Sequence, residues 1–233
     1  MPLISVPAII LQSFAYSDTS KILRLLTRTH GVRSAIAKGA LRPRSRFGGV
    51  LEPFTEGVAT FYLKEGRELQ TLSGFELGRS RQRLGRDLLR FGSASLLAEL
   101  VLRTASEEPE PELFERVRAA LDQLEDAPPQ VLEGVALAAC WSLLGHLGFA
   151  PALDACIACA RPLADDDDGV FDFAAGGVRC PACAAGAPGR ALPAHARRTL
   201  ARLCLGEIVP LERHGAHWQL LGRFVAHHVA DQA

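Results

Sequence analysis

The sequence predicts an α+β chain in which a small five-stranded barrel is followed by a helical domain carrying an inserted four-cysteine loop. Three observations lead there. Short β-rich runs parted by turn signals fill the chain up to Leu77, apolar residues then recur at three- and four-residue spacing, and two C-x2-C pairs interrupt that helical pattern.

The β-rich runs are Ala8 to Leu11, Lys21 to Thr27, Val32 to Lys38, Val58 to Leu63 and Leu69 to Phe75. They are separated by His30-Gly31, by Gly39 through the Gly48-Gly49 pair, and by Glu65-Gly66. Val58, Thr60 and Tyr62 alternate with Ala59, Phe61 and Leu63, a period of two that gives that strand two distinct faces. Five short strands in so short a stretch fit a closed barrel, and the five-stranded OB type binds single strands in a groove on one face. Fold alone does not establish function.

Helical spacing begins after Arg79. Leu84, Leu88, Phe91, Leu96, Leu97, Leu100 and Val101 form an apolar stripe, which Gly92 is placed to break in two. A second helix is expected from Pro111 to Leu124, with Glu112 and Glu115 in its first turns where the helix dipole favours acids. A third follows Pro128-Pro129 and carries Val131, Leu132, Val135, Leu137, Ala138, Trp141, Leu144 and Leu147; two more cover Ala194 to Leu205 and His217 to Val229. The resulting division is an OB-fold domain over 1–80 and an α-helical domain over 81–233, the latter including the cysteine insertion at 150–190.

Composition narrows the setting. The longest apolar stretch, near Val135 to Leu147, is broken by Ser142, Gly145 and His146 and falls short of the about 20 residues a membrane span needs. Met1 to Leu11 lacks the positively charged start of an export segment, so a cytoplasmic, nucleoid-associated protein is expected, without membrane contact. Reducing conditions there argue against disulfides.

Charge supplies the main functional signal. The formal net charge is zero, yet Thr19 to Leu51 carries eight basic residues (Lys21, Arg24, Arg28, Arg33, Lys38, Arg42, Arg44 and Arg46) and no Asp or Glu. Residues 1–103 hold 16 basic against 8 acidic residues, and residues 104–233 hold 10 against 18. Such asymmetry points to a polyanion surface, and these eight residues are the candidate DNA-binding set. Lys38-Gly39-Ala40 and Arg42-Pro43-Arg44-Ser45-Arg46-Phe47-Gly48-Gly49 combine cations with turn formers in a loop able to follow a phosphate backbone. Phe47 offers either a face for base stacking or an apolar anchor for that loop, the anchor being preferred. A second basic cluster, Arg79, Arg81, Arg83, Arg86 and Arg90, either extends the groove or forms a solvated helix face. The Asp165 to Asp168 run and the Glu107 to Glu112 cluster read as solvated loops.

Cys156-Ile157-Ala158-Cys159 and Cys180-Pro181-Ala182-Cys183 have the spacing of a tetrathiolate site in which each pair gives two sulfurs to one tetrahedral ion. One structural Zn2+ per chain is expected, because four thiolates leave no position for water or substrate. Cys140 and Cys204 read as small core residues. The chain has no G-x-x-x-x-G-K-[ST] phosphate loop, no G-x-S-x-G elbow and no H-x-E deaminase pair, and its seven histidines are scattered, so no enzyme activity is expected.

These features meet in one family. Tyr16-Ser17-Asp18-Thr19-Ser20-Lys21-Ile22-Leu23, Leu26-Thr27-Arg28-Thr29-His30-Gly31, Ala37-Lys38-Gly39-Ala40 and Leu51-Glu52-Pro53-Phe54 resemble the amino-terminal barrel of the bacterial RecO family of recombination mediators. Leu41 stands where a second basic residue often follows the A-K-G-A motif. The resemblance implies binding of single- and double-stranded DNA, annealing of complementary strands without ATP, work with RecR, and contact with the acidic tail of the single-stranded-DNA-binding protein, SSB, which assists RecA loading on coated DNA. For that tail, Arg197, Arg198 and Arg202 beside apolar helical surface are the candidate dock. A zinc-ribbon RNA-binding or transcription accessory factor, and a structural adaptor with an acidic protein partner, are the alternatives that share these features.

Overall fold

The computed structural model describes residues 2–64, 66–211 and 214–229, so Glu65 of the expected Glu65-Gly66 turn lies outside the described residues. Up to Arg79 it has five strands: β1 (Leu3–Ala15), β2 (Lys21–Thr27), β3 (Gly31–Ala37), β4 (Glu56–Tyr62) and β5 (Leu69–Arg79). β1 extends beyond the expected run at both ends; a bulge between Ile10 and Gln12 interrupts the alternation by which a strand is read. The strands close into a barrel in the order β1-β2-β3-β5-β4, with β4 returning to β1. Only β3 and β5 pair in parallel, through Ser34↔Leu69 to Ile36↔Thr71, so the barrel has the connectivity of the OB type.

Alternate strand positions fill the interior: Val6, Ala8 and Ile10 from β1, Leu23 and Leu25 from β2, Ala35 and Ala37 from β3, then Ala59, Phe61 and Leu72. Phe47 and Leu51, from the segment between β3 and β4, join the same core. Phe47 is only 3% exposed, which decides between its two readings: it anchors the basic loop and offers no face to a base.

Two helices pack with the barrel, α1 (Leu88–Thr104) and α2 (Pro111–Asp126). Gly92 does not break α1, because it sits on the exposed side, where a mid-helix glycine costs only about 1 kcal/mol. Leu88 and Phe91, expected on the buried stripe, are exposed; α1 turns Arg90 and Ser93 inward instead. The Arg90 guanidinium donates to the Leu124 carbonyl and, at 3.0 Å, to that of Glu125, satisfying carbonyls in the last turn of α2. The connection between α1 and α2 lies along β3, where Val32 N–H donates to the Ser106 carbonyl at 3.0 Å. Gly31, at φ +61°, permits that approach, since a Cβ there would run into the backbone of Glu107 and Glu108.

Much of the basic cluster after β5 is taken up by carboxylates and carbonyls of the same unit, while Arg83 and Arg86 stay exposed. The Arg81 side chain is fully buried, donating to Asp122 through Nε at 2.6 Å, to Glu56 through Nη2 at 2.6 Å and to the Phe54 carbonyl through Nη1 at 2.9 Å. Arg79 pairs with Asp122 and Glu125 at 3.2 Å and with Asp126 at 3.6 Å, and Arg83 pairs with Asp126 at 3.4 Å. Phe54 itself has φ +67°, a conformation that bulky residues avoid. It is held there by its N–H to the Ile10 carbonyl at 2.6 Å, by Arg81, and by an edge-on contact with Phe91 at 5.7 Å.

The rest of the chain forms α3 (Leu132–His146), β6 (Gly169–Asp172), β7 (Gly177–Arg179), α4 (Pro181–Ala184), β8 (Arg190–Leu192), α5 (Ala194–Cys204) and α6 (His214–His228). α3 is buried nearly all round, as its uniformly apolar sequence requires, and packs with α5 and α6. The strands form a small sheet in the order β7-β6-β8 that the sequence did not lead us to expect. Packing therefore divides the chain into two compact units, Met1–Asp126 and Ala127–Ala233, and the change from strand to helix at 80/81 falls inside the first.

Removing Arg81 takes a buried cation from between Glu56 and Asp122, leaving Asp122 to Arg79 alone, whereas Arg83 makes an exposed pair. Arg81→Ala is expected to lower stability by about 3 kcal/mol and Arg83→Ala by less than about 1 kcal/mol, measured by urea unfolding followed by far-UV circular dichroism.

Candidate metal centre and nucleic-acid surface

The first cysteine pair sits on a tight turn. Cys156 N–H donates to the Arg161 carbonyl and Ala160 N–H to the Cys156 carbonyl, both at 2.8 Å, with Ala160 in the left-handed region at φ +58°. The second pair follows β7, and Pro181 opens α4 so that Cys183 N–H reaches the Cys180 carbonyl at 3.0 Å. Ile157 N–H to the Val178 carbonyl at 3.0 Å and Val178 N–H to the Ala152 carbonyl at 2.9 Å clip one pair to the other.

The four sulfurs lie within 4.8 Å of one another, and Cys159 Sγ is 3.9 Å from Cys180 Sγ. A tetrahedron with zinc-like bonds of roughly 2.3 Å has edges of about 3.8 Å, so the donor set has the dimensions of one tetrahedral ion. Among the described residues no other group of three or more His, Cys, Asp or Glu side chains could hold a metal. Cys156 and Cys180 are buried, Cys183 is half-buried and Cys159 is exposed.

Thiol electrostatics favour a cation. The Cys180 N–H aimed at Cys156 Sγ at 3.3 Å helps bring the Cys156 thiol down to about 6, and the Cys183 N–H likewise lowers Cys180. Cys183 is pushed up to about 12, chiefly by its contact with Cys180, because not all four can ionise against one another. A divalent ion removes that conflict. Arg161, paired with Asp167 at 3.0 Å, also lies against the Cys180 sulfur and offsets part of the charge of four thiolates; the cysteine spacing carries no signal for it. Cys140 and Cys204 stand apart, their thiols raised to about 12 by burial.

Phe171 and Phe173 do not hold this region alone. Phe171 is fully buried against Phe173 at 5.3 Å and Phe224 of α6 at 6.1 Å, and Phe224 meets Trp141 of α3 at 5.1 Å. The Ala175 N–H and the Arg179 guanidinium, at 2.7 Å, hold the Asp172 carboxyl below the usual carboxylate range and close the β6–β7 hairpin. In the Asp165 to Asp168 run, Asp167 accepts from Ala164 N–H at 2.9 Å and Asp168 from Ala194 N–H at 2.8 Å, so these two are structural as well as solvated.

The eight candidate cations separate into groups. Lys21 pairs with Glu52 at 2.8 Å, Arg28 with Glu115 at 3.3 Å, and Arg33 with Glu107; Glu107 thus has a structural use, unlike the solvated loop residue expected. Arg24 is half-buried on β2 with its Nε unpartnered. Arg46 donates to the Leu72 carbonyl at 3.2 Å and lies over the Phe47 ring at 4.9 Å. Lys38, Arg42 and Arg44 are exposed and have no side-chain partner among the described residues. Their loop is a chain of turns, with Arg42 N–H to the Gly39 carbonyl at 3.2 Å and Ser45 N–H to the Arg42 carbonyl at 3.0 Å.

At the expected dock, Arg197 and Arg202 are engaged within the chain, while Arg198 is exposed and bonded only to a backbone carbonyl. Arg197 is buried and donates to the Leu153 carbonyl at 3.0 Å and to that of Ala164, Arg198 donates to the Asp165 carbonyl, and Arg202 pairs with Glu207 at 2.7 Å. No helix among the described residues is long and apolar enough to cross a membrane.

Comparison with known proteins matches both halves of the chain. The family model for the Recombination protein O N terminal matches residues 1–81, and that for the Recombination protein O C terminal matches residues 85–232. A protein of Anaeromyxobacter sp. (strain K) named DNA repair protein RecO is 36% identical over 206 residues, covering 87% of this chain and 78% of its own. Bearers of the same name from Desulfatibacillum aliphaticivorans, 30% identical over 100% of this chain and 94% of its own, and from Bacillus subtilis (strain 168), 35% identical over 75% and 66%, are also similar.

If the four sulfurs share one ion, Cys159→Ser and Cys183→Ser should lose bound metal while Cys140→Ser and Cys204→Ser keep one equivalent per chain, read by elemental mass spectrometry. Because apparent binding energies of such sites are on the order of 10 kcal/mol or more, the first two variants should also lose hydrogen-exchange protection over residues 150–190.

Proposed function

The chain belongs to the recombination protein O family, and we propose that it is a DNA-repair and recombination mediator that binds single- and double-stranded DNA through its barrel and anneals complementary strands without ATP. The observation that carries this reading is the set of three exposed, unpartnered cations, Lys38, Arg42 and Arg44, on a turn-rich loop of an OB barrel. A loop cation already paired with a carboxylate must give up that pair before it can meet a phosphate; these three need not. Two phosphate backbones repel, and a cationic surface lowers that repulsion while the strands are brought into register. Base pairing then supplies the free energy.

The four cysteines suit zinc, whose preference for tetrahedral thiolate sets and closed structural sites matches this donor set. In this reading the ion orders the segment around β6 and β7 and takes no part in chemistry. Joint action with RecR, access to strands coated by the single-stranded-DNA-binding protein through its acidic tail, and assistance to RecA loading complete the proposed role, with DNA in the cytoplasm as the substrate.

Three phosphate contacts on a single strand should give a slope of log affinity against log salt of roughly −2, and Lys38→Glu with Arg42→Glu should bring it toward roughly −1 while fold and metal content persist. An unaltered slope in that double variant would place the DNA site elsewhere. Complementary oligonucleotides should anneal faster with the protein in the absence of nucleotide; no acceleration would remove the mediator reading. Coated strands should anneal with intact coating protein and much more slowly when its tail is deleted.

A further inference from the structure

With Phe47 buried, the basic loop has no aromatic face of its own. The turn between β1 and β2 supplies one. Tyr16 is 61% exposed, the most exposed aromatic ring among the described residues, and its side chain makes no hydrogen bond there. The turn beneath it is firm: Tyr16 N–H donates to the Ser20 carbonyl at 2.9 Å and Ser20 N–H to that of Ser17 at 3.4 Å. The same turn is tied to the cationic loop, because Leu41 N–H donates to the Thr19 carbonyl at 3.0 Å. One backbone bond therefore joins the segment carrying Tyr16 to the segment carrying Lys38, Arg42 and Arg44. Asp18, in the turn itself, is the only acid in the first 51 residues.

From this juxtaposition we infer that Tyr16 is a stacking platform for an unpaired base of a strand whose phosphates lie on Lys38, Arg42 and Arg44. The inference rests on the nucleic-acid reading above and assigns to this turn what the cations cannot supply. Phosphate contacts are the same for paired and unpaired strands in kind, and carry no preference for a free base. An exposed ring does, since only an unstacked base presents its face, and every base has one. The turn between the first two strands is also one of the two loops with which barrels of this connectivity hold oligonucleotides. A ring held exposed on a firm turn loses little freedom when a base lands on it. Tyr16 thereby biases the surface toward single strands and holds one base out for pairing with an incoming complement.

The test compares three ligands of equal length: an oligothymidylate, an abasic deoxyribose-phosphate strand and a duplex. Tyr16→Ala is expected to weaken oligothymidylate binding roughly 5- to 100-fold, with the salt slope unchanged and with abasic-strand and duplex affinities kept. Tyr16→Phe and Tyr16→Trp keep the ring and should keep wild-type affinity. Circular dichroism and metal content of Tyr16→Ala verify its fold. Oligothymidylate affinity unaffected by Tyr16→Ala, or an equal loss for the oligothymidylate and the abasic strand, overturns the stacking role and leaves the cationic surface standing. Failure of the wild-type chain to bind any of the three overturns the nucleic-acid reading and the stacking role with it.

Discussion

The pairing of Arg79, Arg81 and Arg83 with Glu56, Asp122, Glu125 and Asp126 decides where the first unit's positive charge is free to act. These arginines lie in the half of the sequence with the basic excess, yet their charge is consumed by the carboxylates of β4 and α2. The same contacts hold α2 to the barrel and brace the left-handed backbone at Phe54. Arg28 and Arg33 are used likewise, against Glu115 and Glu107. Among the cations left exposed without a carboxylate, Lys38, Arg42 and Arg44 share one loop, where a small number of cations produces a local field that a paired surface of the same composition would lack.

A second constraint is the scarcity of large apolar residues between Pro151 and Gly189. Such a segment can be ordered by metal ligation or by borrowing a core from elsewhere, and this one has four cysteines placed for the first and uses the second. The clipped turns bring four sulfurs together, and Phe171 extends the sheet into an aromatic group with Phe224 and Trp141 from two helices. The division of labour is clear in the side chains: the sulfurs gather at the turns, while the rings fix the hairpin to the helices.

The sequence was legible where a property is local. β2 and the starts of α2 and α5 coincide with their expected residues, and the cysteine spacing announces the sulfur cluster, because period, capping and ligand spacing are all set by near neighbours. It was illegible where the deciding partner is distant. Arg81 reads as one more surface cation until Asp122, 41 residues later, is seen to bury it. Arg90 turns inward because the carbonyls it caps belong to another helix, so the stripe through Leu88 and Phe91 points outward against its hydrophobicity. The three strands β6 to β8 are only three or four residues long, too short for a period of two to be distinguished from chance. In the basic run, composition identified the candidates but not which of them were already paired.

Phe47 and Leu51 root the loop between β3 and β4 in the barrel core, and Phe47 is the first of the two to follow the cations. A segment pinned at an interior point behaves as two short arches in place of one long one, and each arch can change length without disturbing the other. Lengthening costs such an arch little, since doubling its residues adds only about 0.6 kcal/mol of closure entropy. The span from Lys38 to Arg46 is thus a place where insertions and deletions can redraw the reach and spacing of the cations while the barrel beneath stays the same, which makes it the adjustable part of an otherwise fixed scaffold.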